Sequence, residues 1–138
     1  MAVNRLFVDT GAFVGAALPR DQYHRISREI WSQLEDSAAH VYSSDAVFQE
    51  TMGLLHVRAG VEFATRWAEI QLQAKVINWL PIDVQVRRQS LTWIKKYADQ
   101  GVAYVDATSF ALMRRENIRY VFGFDRHFTA AGFRQISG

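Results

Sequence analysis

The feature that most constrains this chain is the alternation of short strand-like runs with helical periodicities. Leu6-Phe7-Val8, Val41-Tyr42-Ser43, Ala74–Leu80, Tyr120–Phe124 and Phe133–Ile136 are brief and rich in β-branched and aromatic residues, as strands are. Between them, apolar residues recur every three or four positions, the spacing of a helix face. These stripes are Ala12–Leu18; Tyr23, Ile26, Ile30 and Leu34; Val47, Phe48, Leu54 and Leu55; Phe63, Trp67, Ile70 and Ala74; Val84, Leu91, Ile94 and Ala98; and Ala107, Phe110, Ala111 and Met113. Asp21, Ser44 or Asp45, and Asp83 stand where N-caps are needed, and Pro19 and Pro81 break the chain between elements. Strands that alternate with helices predict βαβ crossovers. The expected fold is a three-layer α/β/α sandwich around a five-stranded, mainly parallel sheet. At 138 residues and 49% hydrophobic content, a single domain over residues 1–138 has enough apolar material for a core of its own.

Composition narrows the chemistry. There are no cysteines, so a disulfide framework and thiolate metal sites are excluded, and any metal must be held by oxygen or imidazole. No apolar run approaches the ~18 residues of a membrane span, and the N-terminal stretch lacks a signal peptide's apolar segment. A cytoplasmic protein is expected. The net charge is only +2, but Arg87, Arg88, Lys95, Lys96, Arg114, Arg115 and Arg119 crowd the second half. Such charges ordinarily form a solvated surface; they also permit a polyanionic partner.

Four acids stand out against this background. Asp9 and Asp125 each follow an apolar strand, Asp106 opens a helix, and Glu50 lies three residues after Val47 and four before Leu54, on the expected buried side of its helix. Each has an ordinary explanation. Asp106 suits a helix N-terminus, Asp9 and Asp125 suit turns, and Glu50 can reach water or a cation from the core's rim. In open parallel sheets, however, ligands gather beyond the carboxyl ends of the strands, near the point where strand order reverses. All four acids are expected on that edge. Carboxylates brought together there either raise one another's pKa or bind a cation, and an all-oxygen site suits Mg²⁺ or Mn²⁺. Such an ion neutralises charge on a phosphoryl group and acidifies water for in-line attack. Phosphodiester hydrolysis fits both the acids and the basic tilt. The chain contains no GxxxxGK[ST] loop, GxGxxG turn or HExxH helix that would point elsewhere.

The segments VDTGAF around Asp9, SSDAVFQETMGLL around Glu50, VDATSFALMRRENIRYVFGFDRHF around Asp106 and Asp125, and the closing AGF together resemble a PIN domain of the VapC toxin type. The resemblance runs over nearly the whole chain in order. It implies a sheet of order 3-2-1-4-5 and a Mg²⁺- or Mn²⁺-dependent endoribonuclease that serves as the toxin of a toxin–antitoxin pair. Asp9 and Asp106 would be the main metal ligands, with Glu50 and Asp125 ligating or orienting water. Thr10, Thr108 and Ser109 fall where the family often places hydroxyls beside the site, although helix capping explains each equally well. His24 and His127 also match positions where such chains often carry histidine, and both are read as packing residues. The resemblance further implies a homodimer, an RNA substrate and a cognate antitoxin, with DNA reached only through the antitoxin. Relatives usually carry Ser or Thr two or three residues before the third acid, where this chain has Ala103 and Tyr104.

Other readings stand beside this one. The fold can also serve as a non-catalytic scaffold, its acids vestigial or holding one structural ion, a reading that the complete acidic quartet argues against, or as a housekeeping nuclease outside any toxin–antitoxin pair. A phosphoacceptor fold with Asp9 as nucleophile is disfavoured, because Gly11 rather than a second acid follows two residues later. Trp31, Trp67, Trp79 and Trp93 are candidates for a partner surface, with core packing the better explanation for most of them.

Overall fold

A computed structural model describes residues 3–136. Its centre is a five-stranded, wholly parallel sheet in the order β3-β2-β1-β4-β5. The strands are β1 (Arg5–Val8), β2 (His40–Ser44), β3 (Ile77–Leu80), β4 (Tyr120–Phe122) and β5 (Arg134–Gln135). Central β1 reads as an unbroken apolar run because both of its faces are covered: Leu6, Phe7 and Val8 are fully buried. Phe7 is opposite Tyr42 on one side and Val121 on the other. From β1 the chain builds outward to β2 and β3, then crosses back to place β4 on the other flank. The strand order therefore reverses between β1 and β4, and the carboxyl ends of these two strands lead to Asp9 and Asp125.

The helices are α1 (Thr10–Ala17), α2 (His24–Glu35), α3 (Asp45–Ala59), α4 (Val61–Ala74), α5 (Val84–Lys96), α6 (Tyr104–Arg115) and the short α7 (His127–Ala130). Helix α6 is the most deeply set, with every residue from Asp106 to Met113 buried. Helices α1 and α2 approach so closely that a Cβ on Gly15 would lie 2.5 Å from the Ser27 hydroxyl, which requires glycine there. Ser44 rather than Asp45 caps α3, accepting from the Val47 amide at 3.1 Å, and Asp83 caps α5 through the Val86 amide at 2.9 Å. Asp21 acts before α2 rather than at its cap. Its carboxylate accepts from the Tyr23 amide at 3.0 Å and pairs with Arg58 at 3.1 Å.

Several expected boundaries and faces move. Strand β3 is shorter than Ala74–Leu80, because α4 runs to Ala74 and Lys75 then takes a left-handed turn at φ 51°. Strand β4 stops at Phe122 instead of Phe124, where Gly123 bends against Asp9. Leu54, Phe63, Ile70, Val84, Leu91 and Ala98 are exposed rather than inward. Val47 and Leu55 on α3 and Trp67 on α4 are buried as expected, and the inner faces are completed by Thr51 on α3, Ala64 and Ala68 on α4, and Val86 and Ser90 on α5. These three helices carry apolar residues on more than one face, so spacing alone fits two rotations about the axis. The tryptophans all serve packing. Phe13 contacts Trp31, Trp67 and Trp79 at ring-centroid distances of 5.4–5.7 Å, and Trp93 meets Phe110 edge-on at 5.3 Å.

Candidate metal centre

The site grows from the carboxyl ends of β1 and β4. Asp9 continues β1 in extended conformation and occupies the N-cap position of α1, but its side chain caps nothing. Its amide instead donates to the Phe122 carbonyl at 2.9 Å and locks the ends of β1 and β4 together. The carboxyl is 5% exposed, and its Oδ1 has no hydrogen-bond partner among the described residues. Gly123 makes room for it: a Cβ there would lie 2.9 Å from the Asp9 Cβ. A buried acceptor without a partner is costly, so this oxygen calls for a proton or a cation.

Asp106 enters from the first turn of α6 and is 7% exposed. The helix begins at Ala103, which offers no side-chain cap, so nothing at the N-cap recruits Asp106 into a capping box. Asp125 follows the bend after β4, and its Oδ1 accepts from the His127 amide at 2.9 Å. The His127 ring turns back over the same group, with Nδ1 2.9 Å from Asp125 Oδ1 and 3.8 Å from Asp106 Oδ2. Its other nitrogen, Nε2, lies 3.0 Å from the Gln100 carbonyl. A carbonyl only accepts, so Nε2 carries a proton, while Nδ1 faces the carboxylates, to which it donates when protonated and beside which it is a free donor atom for a cation when it is not. Ligand atoms of Asp106, Asp125 and His127 all fall within 4.8 Å of one another.

Glu50 reaches the same edge from α3, where Thr10 Oγ1 donates to its Oε1 at 2.5 Å. Glu50 and Asp9 stand outside the tight three-residue group but act on it electrostatically. Of the other hydroxyls considered from the sequence, Thr108 and Ser109 both donate to the Val105 carbonyl, at 2.6 and 3.1 Å, rather than to an acid. His24 packs between helices, its Nδ1 2.8 Å from the Gly15 carbonyl. The two residues that sequence reasoning undervalued are His127 and Gly123. Each had a signal: a glycine within a strand-like run marks close backbone approach, and His127 lies two residues beyond an acid in a turn.

Crowding leaves its mark on proton affinity. Burial pushes Asp9 from 3.8 up to about 7; the Thr10 amide opposes this, and the charges of Glu50 and Asp125 add to it. Burial likewise pushes Asp106 up to about 9, reinforced by Asp9 and Asp125. Burial acts upward on Asp125 too, but is outweighed by the His127 amide, the hydrogen bond with Asp106 and the nearby His127 ring, so that its carboxyl ends below the ordinary value. Asp106 is thus the acid of this pair that holds a proton more tightly, and Asp125 the one that gives its proton up. An orphaned buried oxygen, mutually repelling carboxylates and one oriented imidazole form a donor set suited to a small divalent cation, with Asp9, Asp106, Asp125 and His127 as its available ligands.

The PIN domain family model matches residues 6–134, almost the whole described chain. This chain is a PIN domain. A relative from Mycobacterium tuberculosis, the 23S rRNA-specific endonuclease VapC20, is 30% identical over 131 residues, which cover 95% of this PIN chain and 97% of the relative. The crystal structure of M. tuberculosis VapC20, described as a sarcin-ricin loop cleaving toxin, superposes with a TM-score of 0.88 at 29% identity and covers 96% of this chain and 99% of that one. The PIN fold is also seen in FitAcB from Neisseria gonorrhoeae, with a TM-score of 0.68 at 19% identity and coverage of 96% of each chain. DNA-bound VapBC from Salmonella typhimurium gives 0.67 at 13% identity, covering 97% of this chain and 98% of that one. At those identities the last two speak to the fold alone. Among the described residues, no helix is long and apolar enough to cross a membrane.

Proposed function

We propose that this PIN domain is a Mg²⁺- or Mn²⁺-dependent endoribonuclease and the toxin of a VapBC-type pair. The observation that carries this reading is the meeting of Asp106, Asp125 and His127 within 4.8 Å, beside the unpartnered Asp9 Oδ1, at the edge where strand order reverses. The proposed ligands are Asp9, Asp106 and Asp125, with His127 Nδ1 beside them. Once bound, the ion supplies charge neutralisation at the scissile phosphate and acidifies water.

The chain's own residues do the rest. Thr10 holds Glu50 by its Oε1, leaving the other carboxylate oxygen to orient or deprotonate water. The Gln100 carbonyl fixes the His127 tautomer so that the ring presents Nδ1 to the carboxylates. Gly123 admits the Asp9 side chain to the edge. The similarity to a 23S rRNA-specific endonuclease supports a structured ribosomal RNA loop as the substrate class. An antitoxin partner, a homodimer and a cytoplasmic setting belong to the same proposal.

Replacing Asp106 by Asn preserves size and removes the charge. The variant is expected to fold as the parent does and to lose at least about a hundredfold in RNA cleavage with either Mg²⁺ or Mn²⁺, a loss typical of removing an electrostatic catalytic group. Cleavage of a ribosomal RNA fragment at the parent's rate would remove Asp106 from the site and the reading with it.

A further inference from the structure

The sheet edge opposite the acids carries a cleft of about 530 Å³ where α6 ends and β4 and β5 begin. It is lined by Arg114, Asn117, Arg119, Tyr120, Phe133 and Arg134, and no acidic side chain among the described residues lines it. Some arginines elsewhere are tied down, although Arg87 and Arg88, for example, are not among the described residues' ion pairs. Arg58 pairs with Asp21 at 3.1 Å, Arg115 with Asp83 at 2.7 Å, and Arg5 donates to the Glu116 carbonyl at 2.6 Å. Among the described residues, Arg114, Arg119 and Arg134 form no ion pair within 4.0 Å. The fold nevertheless gathers them. The Arg134 amide donates to the Arg119 carbonyl at 2.9 Å, which places the two at the starts of neighbouring strands. The Arg114 guanidinium lies 5.2 Å from the Phe133 ring centroid and 5.9 Å from that of Trp93, and is held there by the aromatic faces.

Three exposed guanidiniums around one cleft, with an amide and a phenol beside them, match phosphate oxygens in a polyanion. We propose that this cleft is a second RNA-binding site, which grips the substrate's backbone away from the scissile bond. The proposal rests on the ribonuclease reading for the identity of the polyanion. Its geometry fixes a length. Eight residues of α6 separate Asp106 from Arg114, about 12 Å along the helix axis at 1.5 Å per residue. At about 3.4 Å of strand per phosphate, an RNA must extend at least roughly four nucleotides from the acids to touch this edge. Such a site favours structured or long RNA over short fragments.

The test changes Arg119 and Arg134, which are exposed and form no ion pair among the described residues, and spares Arg114, whose stacking packs the cleft. Binding of a ribosomal RNA hairpin is measured by fluorescence anisotropy in EDTA, on an Asp106→Asn background so that no strand is cut. The Arg119→Gln/Arg134→Gln pair is expected to bind about tenfold more weakly, with the slope of log K against log salt shallower by about 1.4, two contacts at 0.7 each. The Arg119→Lys/Arg134→Lys pair, which keeps charge but not the fork, should retain most of the slope. In the active chain, the Gln pair should raise KM and leave kcat unchanged. Unchanged RNA affinity and slope in a Gln pair that melts like the parent would overturn the proposal and leave the cleft to an acidic protein partner. Loss of binding by the Gln pair in a chain that cuts no RNA with either metal would defeat the nuclease reading and leave the cleft standing as an RNA site.

Discussion

At the scale of single residues, the site depends on a side chain that is missing. Gly123 allows β4 to bend against Asp9, and a methyl group there would lie 2.9 Å from the Asp9 Cβ and 3.4 Å from its Oδ2. Neither neighbour can retreat easily, because the Asp9 amide is anchored to the Phe122 carbonyl at 2.9 Å. Gly123→Ala should therefore cost stability by about 1–3 kcal/mol, the usual range for overpacking, and should also push Asp9 away from its fellow acids. Two measurements separate these effects: a urea midpoint for stability, and Mn²⁺ titration by calorimetry for the site. An alanine variant with parental affinity for Mn²⁺ would show that the Asp9 position is not set by this contact.

At the scale of elements, helix α6 carries the site with one of its usual supports missing. Its N-cap is Ala103, with no side-chain bond to the first turn, and Thr108 and Ser109 satisfy the Val105 carbonyl instead. Ala103→Ser should add about 1 kcal/mol by capping an orphan amide, as a rise in melting temperature with RNA cleavage unchanged; a fall in stability would mean that the backbone at Ala103 cannot accept a cap. The same elements show what the sequence made legible. The central strands β1 and β4 could be read because buried parallel strands are continuous apolar runs, and with them the placement of Asp9 and Asp125 at strand ends. The inward faces of α3, α4 and α5 could not, since Leu54, Ile70 and Leu91 keep helical spacing yet face solvent. The orientation of His127 was illegible for another reason, although its place two residues beyond an acid was a signal: the ring is set by the Gln100 carbonyl, 27 residues away, and by a turn whose geometry exists only in the folded chain. Local spacing identifies residues that share a helix or strand face; it does not reveal a partner supplied by another loop.

At the scale of the whole molecule, the carboxyl edge stores repulsion that a cation would relieve, and this links stability to pH and metal. Asp9 is raised from 3.8 to about 7 and Asp106 to about 9. Above about pH 4 the unfolded chain has released both protons while the folded chain retains them, so the folded state binds more protons and stability falls as pH rises. The Asp9 part of the loss is complete above about pH 7 and the Asp106 part above about pH 9. Asp125, held low, acts oppositely and costs stability only in acid, as pH falls through its folded value. A tenfold difference in proton affinity between folded and unfolded chain is worth about 1.4 kcal/mol, so the alkaline loss from Asp9 alone is on the order of 4 kcal/mol. In EDTA, the protein should unfold at lower urea at pH 8 than at pH 5, and Asp106→Asn should flatten that difference. Adding Mn²⁺ to a hundred times its dissociation constant should then restore about 2.7 kcal/mol at pH 8, a rise of roughly 10 °C in melting temperature for a chain of this size. The Asn variant should lose most of that rise. Parent protein melting at the same temperature in Mn²⁺ and in EDTA at pH 8 would mean that these acids hold protons and not a metal, because ligands that repel one another this strongly cannot bind a divalent ion without stabilising the fold that assembles them.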